Sequence, residues 1–174
     1  MNKSIKCLKI LKVFNKEKVS DEKMKSFDLR RSVRMIILDK NNNIALLYSN
    51  KFKYYEIPGG GVEKNESIEQ AVNRESLEEA GCKVKIIEKI GKTIEVRAKI
   101  KQVNEAYGFI VQIIGRKLSA NFQEDEVEDD FEIMWVSCDQ AIDYVKKIKV
   151  GDNLYYNYIK DRTLLFLKEA FKLM

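Results

Sequence analysis

The sequence predicts an α/β (α+β) fold of the α/β/α sandwich type, in which one mixed β-sheet lies between helices. Three observations predict it: strand-like apolar runs stand before and after a central helix pattern, a second long helix pattern follows them, and turn-rich segments separate the strands. A chain of 174 residues is long enough for one substantial core. We therefore expect one domain over residues 1–174, with an N-terminal extension (1–28), a core (29–150) and a C-terminal helix (151–174).

The first half of the chain alternates apolar runs with turn signals. Two of these runs flank the segment Asp-Lys-Asn-Asn-Asn at residues 39–43, which predicts a β-hairpin. In chain order, the predicted elements are a strand in 5–14, a polar loop or short helix in 15–28, hairpin strands in 31–38 and 44–48, and a short strand in 54–57.

Residues 68–80 predict the central helix. Ser67 and Gln70 form a capping-box pattern ahead of it, and Gly81 is a stop signal because glycine tolerates the left-handed conformation just past a helix end. After this helix, the sequence predicts strands in 84–96, 106–118 and 131–136 and helices in 140–147 and 152–173.

One face of the central helix changes from apolar to acidic. At 100° per residue, the apolar residues of the first turns share a face that then carries Glu75, Glu78 and Glu79. Two such carboxylates about 5 Å apart repel by roughly 3 kcal/mol at an effective dielectric constant near 20. Arg74 can pair with one of the three but not with all, so the face requires a further counter-charge.

A hard divalent cation fits this acidic face, since Mg²⁺ prefers oxygen ligands and bridges to phosphates. The chain contains no histidine, which excludes an imidazole-rich zinc site. The alternative is an ordinary solvated acidic surface. The run Pro58-Gly59-Gly60-Gly61 lets the backbone turn sharply and approach an ion or a phosphate, although a plain loop between strand and helix would have the same composition.

The glycines and the acidic helix belong to one spaced motif. Residues 60–82 fit the spacing G-x5-E-x7-R-E-U-x-E-E-x-G-U, where U is apolar, except that Ser76 occupies the first apolar slot. The fixed positions are Gly60, Glu66, Arg74, Glu75, Glu78, Glu79 and Gly81. In this motif the chain resembles the Nudix hydrolases. The resemblance implies a mixed sheet between helices and hydrolysis of the pyrophosphate bond in a nucleoside diphosphate linked to another group.

The resemblance also implies roles for individual residues. The expected metal ligands are the carboxylates of Glu75, Glu78 and Glu79 and the carbonyl of Gly59, with Mg²⁺ as the cofactor and Mn²⁺ as its substitute. Arg74 is expected to orient the carboxylates, and Glu66 to anchor the loop or to assist a metal through water. Some family members take a general base from a loop well after the motif. Glu126 is our candidate, with Glu124, Glu128 and the motif glutamates as alternatives.

Three further residues are candidates for binding the substrate. Tyr54 and Tyr107 lie on predicted strands and could stack on a base, although aromatic residues at such positions also serve as core. Arg34 lies inside an apolar strand, where a buried charge needs a partner. That partner is either a substrate phosphate or an acidic side chain.

The composition favours an anionic partner. The net charge is +5, and residues 1–53 hold 14 Lys and Arg against 5 Asp and Glu, which suits a polyanionic substrate, RNA, or simply a lysine-rich surface. The three cysteines are widely spaced, so we expect reduced thiols with a packing role in a cytoplasmic protein. No apolar run is long enough to predict a membrane span.

These observations leave three functional hypotheses. The favoured one is a hydrolase of a nucleoside triphosphate, including an oxidised or non-standard one such as 8-oxo-dGTP, or of a nucleotide sugar. The second is an RNA 5′-end pyrophosphohydrolase, so RNA is the less favoured partner. The third is a non-catalytic nucleotide-sensing module, which usually loses motif glutamates that are all present here. A homodimer is compatible with the resemblance, but no residue identifies an interface.

Overall fold

Seven strands form one mixed sheet in the computed structural model, which describes residues 8–117 and 130–174. The sheet order is β1-β5-β6-β2-β3-β4, and β7 pairs with β3. The strands are β1 (Ile10–Phe14), β2 (Asp28–Leu38), β3 (Ile44–Ser49), β4 (Tyr54–Glu56), β5 (Lys83–Arg97), β6 (Gln102–Ile114) and β7 (Phe131–Val136). The helices are α1 (Asp21–Met24), α2 (Ile68–Ala80), α3 (Cys138–Lys147) and α4 (Leu154–Phe171), with a 3₁₀ turn at Ala98–Ile100.

The sheet lies between two layers of helices, which confirms the predicted sandwich. On one face, α2 buries Ala71 and Val72 against Val33, Met35 and Phe109 of the sheet. On the other face, α3 and α4 pack on the alternate residues of the same strands, including Ile36 of β2 and Ile110 of β6. Within the described ranges, no helix is both long and apolar enough to cross a membrane.

The sheet opens between β2 and β3, and this opening creates the place for the glycine run. The predicted hairpin is present, with Asp39 Oδ1 accepting from the N–H groups of Asn41 and Asn43, but β2 and β3 pair only at Leu38 and Ile44. Beyond that pair the two strands separate.

The glycine segment, residues 58–62, takes the position beside β2 that β3 has left. The N–H of Val33 donates to the Gly60 carbonyl at 3.0 Å, and the N–H of Met35 donates to the Pro58 carbonyl at 2.8 Å. The N–H of Val62 donates to the Arg31 carbonyl at 2.9 Å. Backbone hydrogen bonds therefore hold the segment to β2 in the manner of an additional strand, without any contribution from side chains.

The central helix has the bounds that the sequence predicts. The Ser67 hydroxyl accepts from the N–H of Gln70, the Gln70 side chain accepts from the N–H of Ser67, and Gly81 ends the helix in the left-handed conformation at φ 59°. Glu75 and Glu79 face inward and are both 4% exposed. Cys82 and Cys138 are free and buried, as predicted, whereas Cys7 lies outside the described residues.

Several element boundaries differ from the sequence prediction, among them the start of β2 at Asp28 rather than 31, and two of the differences have a clear local cause. Strand β6 begins at Gln102, not at residue 106, because the residues in between pair with β2 through their backbones and their side-chain oxygens bind charged neighbours. Asn104, for example, is fully buried and accepts from Arg30 and Ser32. Helix α3 begins at Cys138 rather than 140, because Ser137 forms a capping box with Gln140.

Replacing the cap of α2 should weaken the helix that carries the motif glutamates. We expect Ser67→Ala to lower the free energy of unfolding by about 1 kcal/mol, because the side-chain acceptor for the first-turn N–H groups is lost. Urea denaturation measures this change. Ser67→Asp, which retains a capping acceptor, is the control and should stay close to wild type; equal stability of the Ala variant would contradict the capping role.

Candidate active site

At two positions of the glycine segment, neighbouring atoms occupy the place that a side chain would need. Gly59 has φ 136°, and a Cβ there would lie 2.1 Å from the Val33 carbonyl oxygen. A Cβ on Gly60 would lie 2.3 Å from Oε1 of Glu75. Backbone contact with β2 therefore excludes a side chain at the first position, and a side chain at the second would displace the Glu75 carboxylate.

Arg74 connects the glycine segment to three acidic side chains. Its Nε and Nη2 donate to the two carboxylate oxygens of Glu66 at 2.9 and 3.1 Å, and Nη2 also donates to the Gly61 carbonyl at 2.7 Å. Its Nη1 lies 2.9 Å from Oε1 of Glu75 and 2.9 Å from Oε2 of Glu78. This guanidinium uses its planar fork to hold the loop, and it contacts two of the three glutamates among the predicted metal ligands.

Glu66 makes the hydrogen bonds that its predicted role as an anchor of the loop requires. Besides the paired bonds from Arg74, its Oε2 accepts from the N–H of Glu63 at 2.9 Å. The hydrogen bonds from Arg74 lower the pKa of Glu66, and burial opposes them. Glu66 bonds in turn raise the pKa of Arg74, so the pair remains charged throughout the physiological range.

The three glutamates on α2 differ in environment. Burial raises the pKa of Glu75, and the neighbouring Arg74 opposes that shift. The side chain of Glu78 is 23% exposed and has the greatest access to solvent of the three. Glu79 is buried, and its Oε2 accepts from the N–H of Gly59 at 2.5 Å.

These partners keep the carboxylates apart, and in residues 8–117 and 130–174 no three acidic or cysteine side chains form a group that could hold a metal as they stand. The donor chemistry nevertheless fits a hard cation, because the helix face and the glycine segment offer only oxygen ligands. The ligand set to be tested is Glu75, Glu78, Glu79 and the Gly59 carbonyl. That carbonyl accepts from Arg34 Nη1, and a carbonyl oxygen has a second lone pair for another contact.

The sequence left two partners open for Arg34, a substrate phosphate or an acidic side chain, and the structure contains the acidic one. The side chain is buried, and its Nη1 lies 3.5 Å from Oε2 of Glu56, so an acidic partner is present. It also donates to the carbonyl of Gly59, the residue whose N–H binds Glu79. Arg34 is therefore placed to hold the glycine segment, and its predicted contact with a substrate phosphate stays a prediction.

The two tyrosines predicted to bind substrate lie in packed positions. Tyr54 is 3% exposed and meets Phe131 edge-on, with ring centroids 5.7 Å apart. Tyr107 is 6% exposed and packs in the core on the α2 side, where burial and a hydrogen bond to Glu105 raise its pKa to about 12. The structure thus gives both rings a packing role. Glu126, with its alternatives Glu124 and Glu128, lies outside the described residues.

Sequence reasoning missed a group of buried charges on the other side of the glycine segment. Arg162 of α4 is 1% exposed, and its guanidinium lies 2.8 Å from Glu95 and 3.4 Å from Glu56. The available signal was a charged residue among the apolar positions of the last helix pattern. We call Arg30, Arg34, Arg97 and Arg162 the arginine cluster.

Comparison with known proteins agrees with this geometry. The family model described as the NUDIX domain matches residues 28–158, which is most of the chain. The chain belongs to the Nudix family. The match covers β2 to the first turns of α4 and therefore includes both the glycine segment and the acidic helix.

Two curated relatives of this Nudix chain are similar over part of its length. "Nudix hydrolase 4" of Arabidopsis thaliana is 31% identical over 98 residues, which are 56% of this chain and 45% of that protein. "Putative 8-oxo-dGTP diphosphatase" of Bacillus subtilis (strain 168) is 32% identical over 90 residues, which are 52% of this chain and 58% of that protein. The matches thus span about half the length of each relative.

Solved structures share the fold at low sequence identity. A MutT protein from Methanosarcina mazei Go1 superposes with a TM-score of 0.57 at 18% identity, covering 85% of this chain and 97% of that one. The E. coli ORF135 protein gives 0.59 at 21% identity, with 86% and 93% covered. A NUDIX hydrolase from Nitrosomonas europaea gives 0.61 at 16% identity, with 83% and 90% covered.

The Arg74–Glu66 pair should make stability depend on acidic pH. Because the pKa of Glu66 is lowered by folding, the unfolded chain binds its proton first, and the pair's contribution is lost as pH falls from the ordinary glutamate range through the folded pKa. Glu66→Gln should cost about 1–3 kcal/mol at pH 7 and should remove this part of the acid sensitivity.

Urea denaturation at a series of pH values between 7 and 3 checks this expectation. Glu63→Gln is the matched control, because the Glu63 side chain is 65% exposed and lies 3.9 Å from Arg74. An acid-sensitivity curve that is the same in wild type and Glu66→Gln would contradict the assignment.

Proposed function

We propose that the protein is a divalent-metal-dependent pyrophosphohydrolase that acts on a nucleoside diphosphate derivative. One observation carries the proposal: the motif helix presents Glu75, Glu78 and Glu79 beside a glycine segment that Arg74 and β2 hold in place. Membership of the Nudix family supports the same reaction class. The whole set of motif residues is present, which favours an enzyme over a sensing module.

In this proposal the cation, with Mg²⁺ preferred and Mn²⁺ as a substitute, is held by the three glutamates and the Gly59 carbonyl. A bound divalent ion of this kind neutralises phosphate charge and lowers the pKa of a coordinated water. The chain's own residues would do the rest. Arg74 holds Glu75 and Glu78, and Arg34 and Glu79 hold Gly59 from its two sides, so all four ligands start from defined positions, from which a bound cation would have to draw the carboxylates together.

The substrate that we favour is a nucleoside triphosphate, with an oxidised one of the 8-oxo-dGTP type included. The name of the Bacillus subtilis relative supports this choice, within the half of each protein that matches. A nucleotide sugar is the second small-molecule class. An RNA 5′ end is the alternative, supported by the excess of Lys and Arg in residues 1–53.

A substrate panel tests the proposal directly. The purified chain is incubated with nucleoside triphosphates including 8-oxo-dGTP, with nucleotide sugars and with 5′-triphosphate RNA, each with and without Mg²⁺, while phosphate and pyrophosphate release are followed. Metal-dependent cleavage of one class supports the proposal and identifies the substrate. No release from any substrate with either Mg²⁺ or Mn²⁺ would contradict it and favour a sensing role.

Glu79→Gln should abolish nearly all turnover, with a loss of at least about 10³-fold, because the cation loses one of its proposed charged ligands. The fold should persist, since Gln retains an oxygen for the N–H of Gly59. Steady-state kinetics with Mg²⁺ measure the loss, and circular dichroism checks the fold. Glu69→Gln, the same substitution in the first turn of the same helix, is the control; near-wild-type turnover in Glu79→Gln would refute the ligand assignment.

Glu126→Gln should lower kcat by roughly 10²- to 10⁴-fold if Glu126 is the general base. The acidic limb of the pH–rate profile should disappear as well, because that limb reports the ionisation of the base. Glu124→Gln and Glu128→Gln are matched variants of the two neighbouring candidates. The largest loss among the three identifies the base, and three unchanged rates would move this role to a glutamate of the motif.

A further inference from the structure

The arginine cluster lies on the face of the sheet that α4 covers, opposite the helix with the motif glutamates. Arg30 and Arg34 come from β2, Arg97 from the end of β5, and Arg162 from the middle of α4. Arg34 donates to the Gly59 carbonyl, and the guanidinium of Arg30 is the nearest group to a Cβ built on Gly61, at 3.1 Å. The cluster therefore borders the glycine segment on the side away from Glu75.

Two buried carboxylates pair with three of the four guanidinium groups in this cluster. Glu95 binds Arg162 at 2.8 Å and Arg97 at 2.8 Å, and Glu56 lies 3.4 Å from Arg162. Glu56 is also the ion-pair partner of Arg34.

Arg30 has a neutral partner, since its Nη1 donates to the amide oxygen of Asn104 at 3.1 Å. Within the cluster four cations thus face two anions, Glu79 being a further carboxylate whose charge acts on Arg34, and the remaining positive charge is largely withdrawn from water. Such an excess is costly unless a further anion compensates it.

The same side chains hold donors that have no acceptor. Across residues 8–117 and 130–174, six buried side-chain N or O atoms lack a hydrogen-bond partner. Four of the six belong to this region, namely Nε of Arg34, Arg97 and Arg162 and Nδ2 of Asn104. Buried donors are nearly always paired, so their concentration at one place indicates a missing acceptor.

Electrostatic repulsion within the cluster is evident at Arg30. Burial lowers its pKa to about 10, and the charges of Arg34, Arg97 and Arg162 act in the same direction. A negatively charged ligand would offset the repulsion, because it would pair with the guanidinium groups and would provide acceptors for them.

A cavity of about 340 Å³ opens at the outer end of the cluster. Arg97, Lys99 and Tyr155 line it, and the guanidinium of Arg97 lies over the Tyr155 ring at 5.5 Å. Two acids, Glu17 and Asp152, also line the cavity, and the carboxylate of Glu17 accepts from the N–H of Ala98. The cavity therefore gives a ligand access to Arg97 from solvent.

We propose that the arginine cluster is an anion-binding site for a phosphate group of the substrate that is separate from the pyrophosphate at the glycine segment. β5, which carries Arg97, lies two strands away from β2, with β6 between them. Two strand spacings are about 10 Å. A ligand that reaches both the glycine segment and the cavity must therefore extend over roughly that distance.

This inference rests on the proposed function where it concerns the substrate. It selects molecules that carry at least one phosphate beyond the scissile pyrophosphate over a nucleotide sugar with only two phosphates. The third phosphate of a triphosphate would meet Arg30 and Arg34 beside the glycine segment, whereas only a phosphate ester farther along the molecule would reach Arg97. The binding of an anion to the cluster itself does not depend on catalysis and can be measured alone.

Isothermal titration calorimetry with inorganic tripolyphosphate, in metal-free buffer with EDTA, measures anion binding by the cluster alone. Without a cation the motif glutamates repel the anion, so the arginine cluster is the site that remains. We expect saturable binding to the wild type and a Kd about tenfold weaker or more in Arg97→Gln and in Arg30→Gln. Arg31→Gln is the matched control, because Arg31 lies on the same strand as Arg30 with its side chain 55% exposed, and its Kd should stay within about twofold.

Several results would overturn the proposal: no binding to the wild type, an equal loss in Arg31→Gln, or an unchanged Kd in both cluster variants. Two variants are used so that a folding defect in one, seen by circular dichroism, leaves the other to decide.

Kinetics with the same variants separate this proposal from the proposed function. Where hydrolysis is observed, Arg30→Gln should raise KM for a triphosphate about tenfold more than it raises KM for a nucleotide sugar, because Arg30 borders the glycine segment within reach of a third phosphate. Equal effects on the two substrates would refute the selection of an extra phosphate.

If tripolyphosphate binds as expected but no substrate is cleaved, the anion site stands and the hydrolase proposal fails. If a substrate is cleaved but tripolyphosphate binding does not depend on the cluster, the hydrolase proposal stands and the anion site fails.

Discussion

A buried carboxylate needs a partner, and Glu79 finds one in the backbone N–H of Gly59 at 2.5 Å. The same residue offers its carbonyl to Arg34, so one glycine connects a motif glutamate to a buried arginine. Gly59 can take this place only because it lacks a side chain, since the Val33 carbonyl occupies the position of a Cβ. The site geometry therefore depends on a close contact between two backbones.

That contact depends in turn on the way the sheet opens. β2 and β3 pair at a single position, Leu38 with Ile44, and then separate. The hydrogen-bonding edge of β2 is left to the glycine segment, which uses it at Val33 and Met35. Because β2 is paired along its whole length to β6 on the other side, the segment rests on a rigid support. Preorganised backbone groups of this kind cost no rearrangement when a ligand binds.

Local patterns in the sequence predicted the parts of the fold that local chemistry determines. The capping box at Ser67, the stop at Gly81 and the inward face of α2 depend on residues within a few positions of each other, and the structure confirms them. The start of β6 was not predicted because Asn104 becomes a buried strand residue only when Arg30 supplies its partner. Arg30 lies on the neighbouring strand of the sheet but 74 positions away in the sequence.

The candidate site divides in the same way. The spacing of the motif was sufficient to bring Arg74 together with Glu66, Glu75 and Glu78, since all four lie within or just ahead of one helix. It contained nothing about Arg162, which joins Glu56 and Glu95 across 106 and 67 positions of the chain. Charge pairs at such separations follow from the tertiary fold and leave no periodic signal.

Opposite charges on the two sides of the glycine segment impose a direction on any ligand between them. The α2 side has four carboxylates, including that of Glu66, and one arginine, so an anion needs a cation to accompany it there. The α4 side has four arginines and two carboxylates, so it attracts an anion unaided. A phosphate-rich molecule would therefore be held first by the arginines, with its pyrophosphate placed at the glycine segment, and the metal would complete the opposite side. On this proposal, selection of the molecule and activation of its bond would fall to different faces of one sheet.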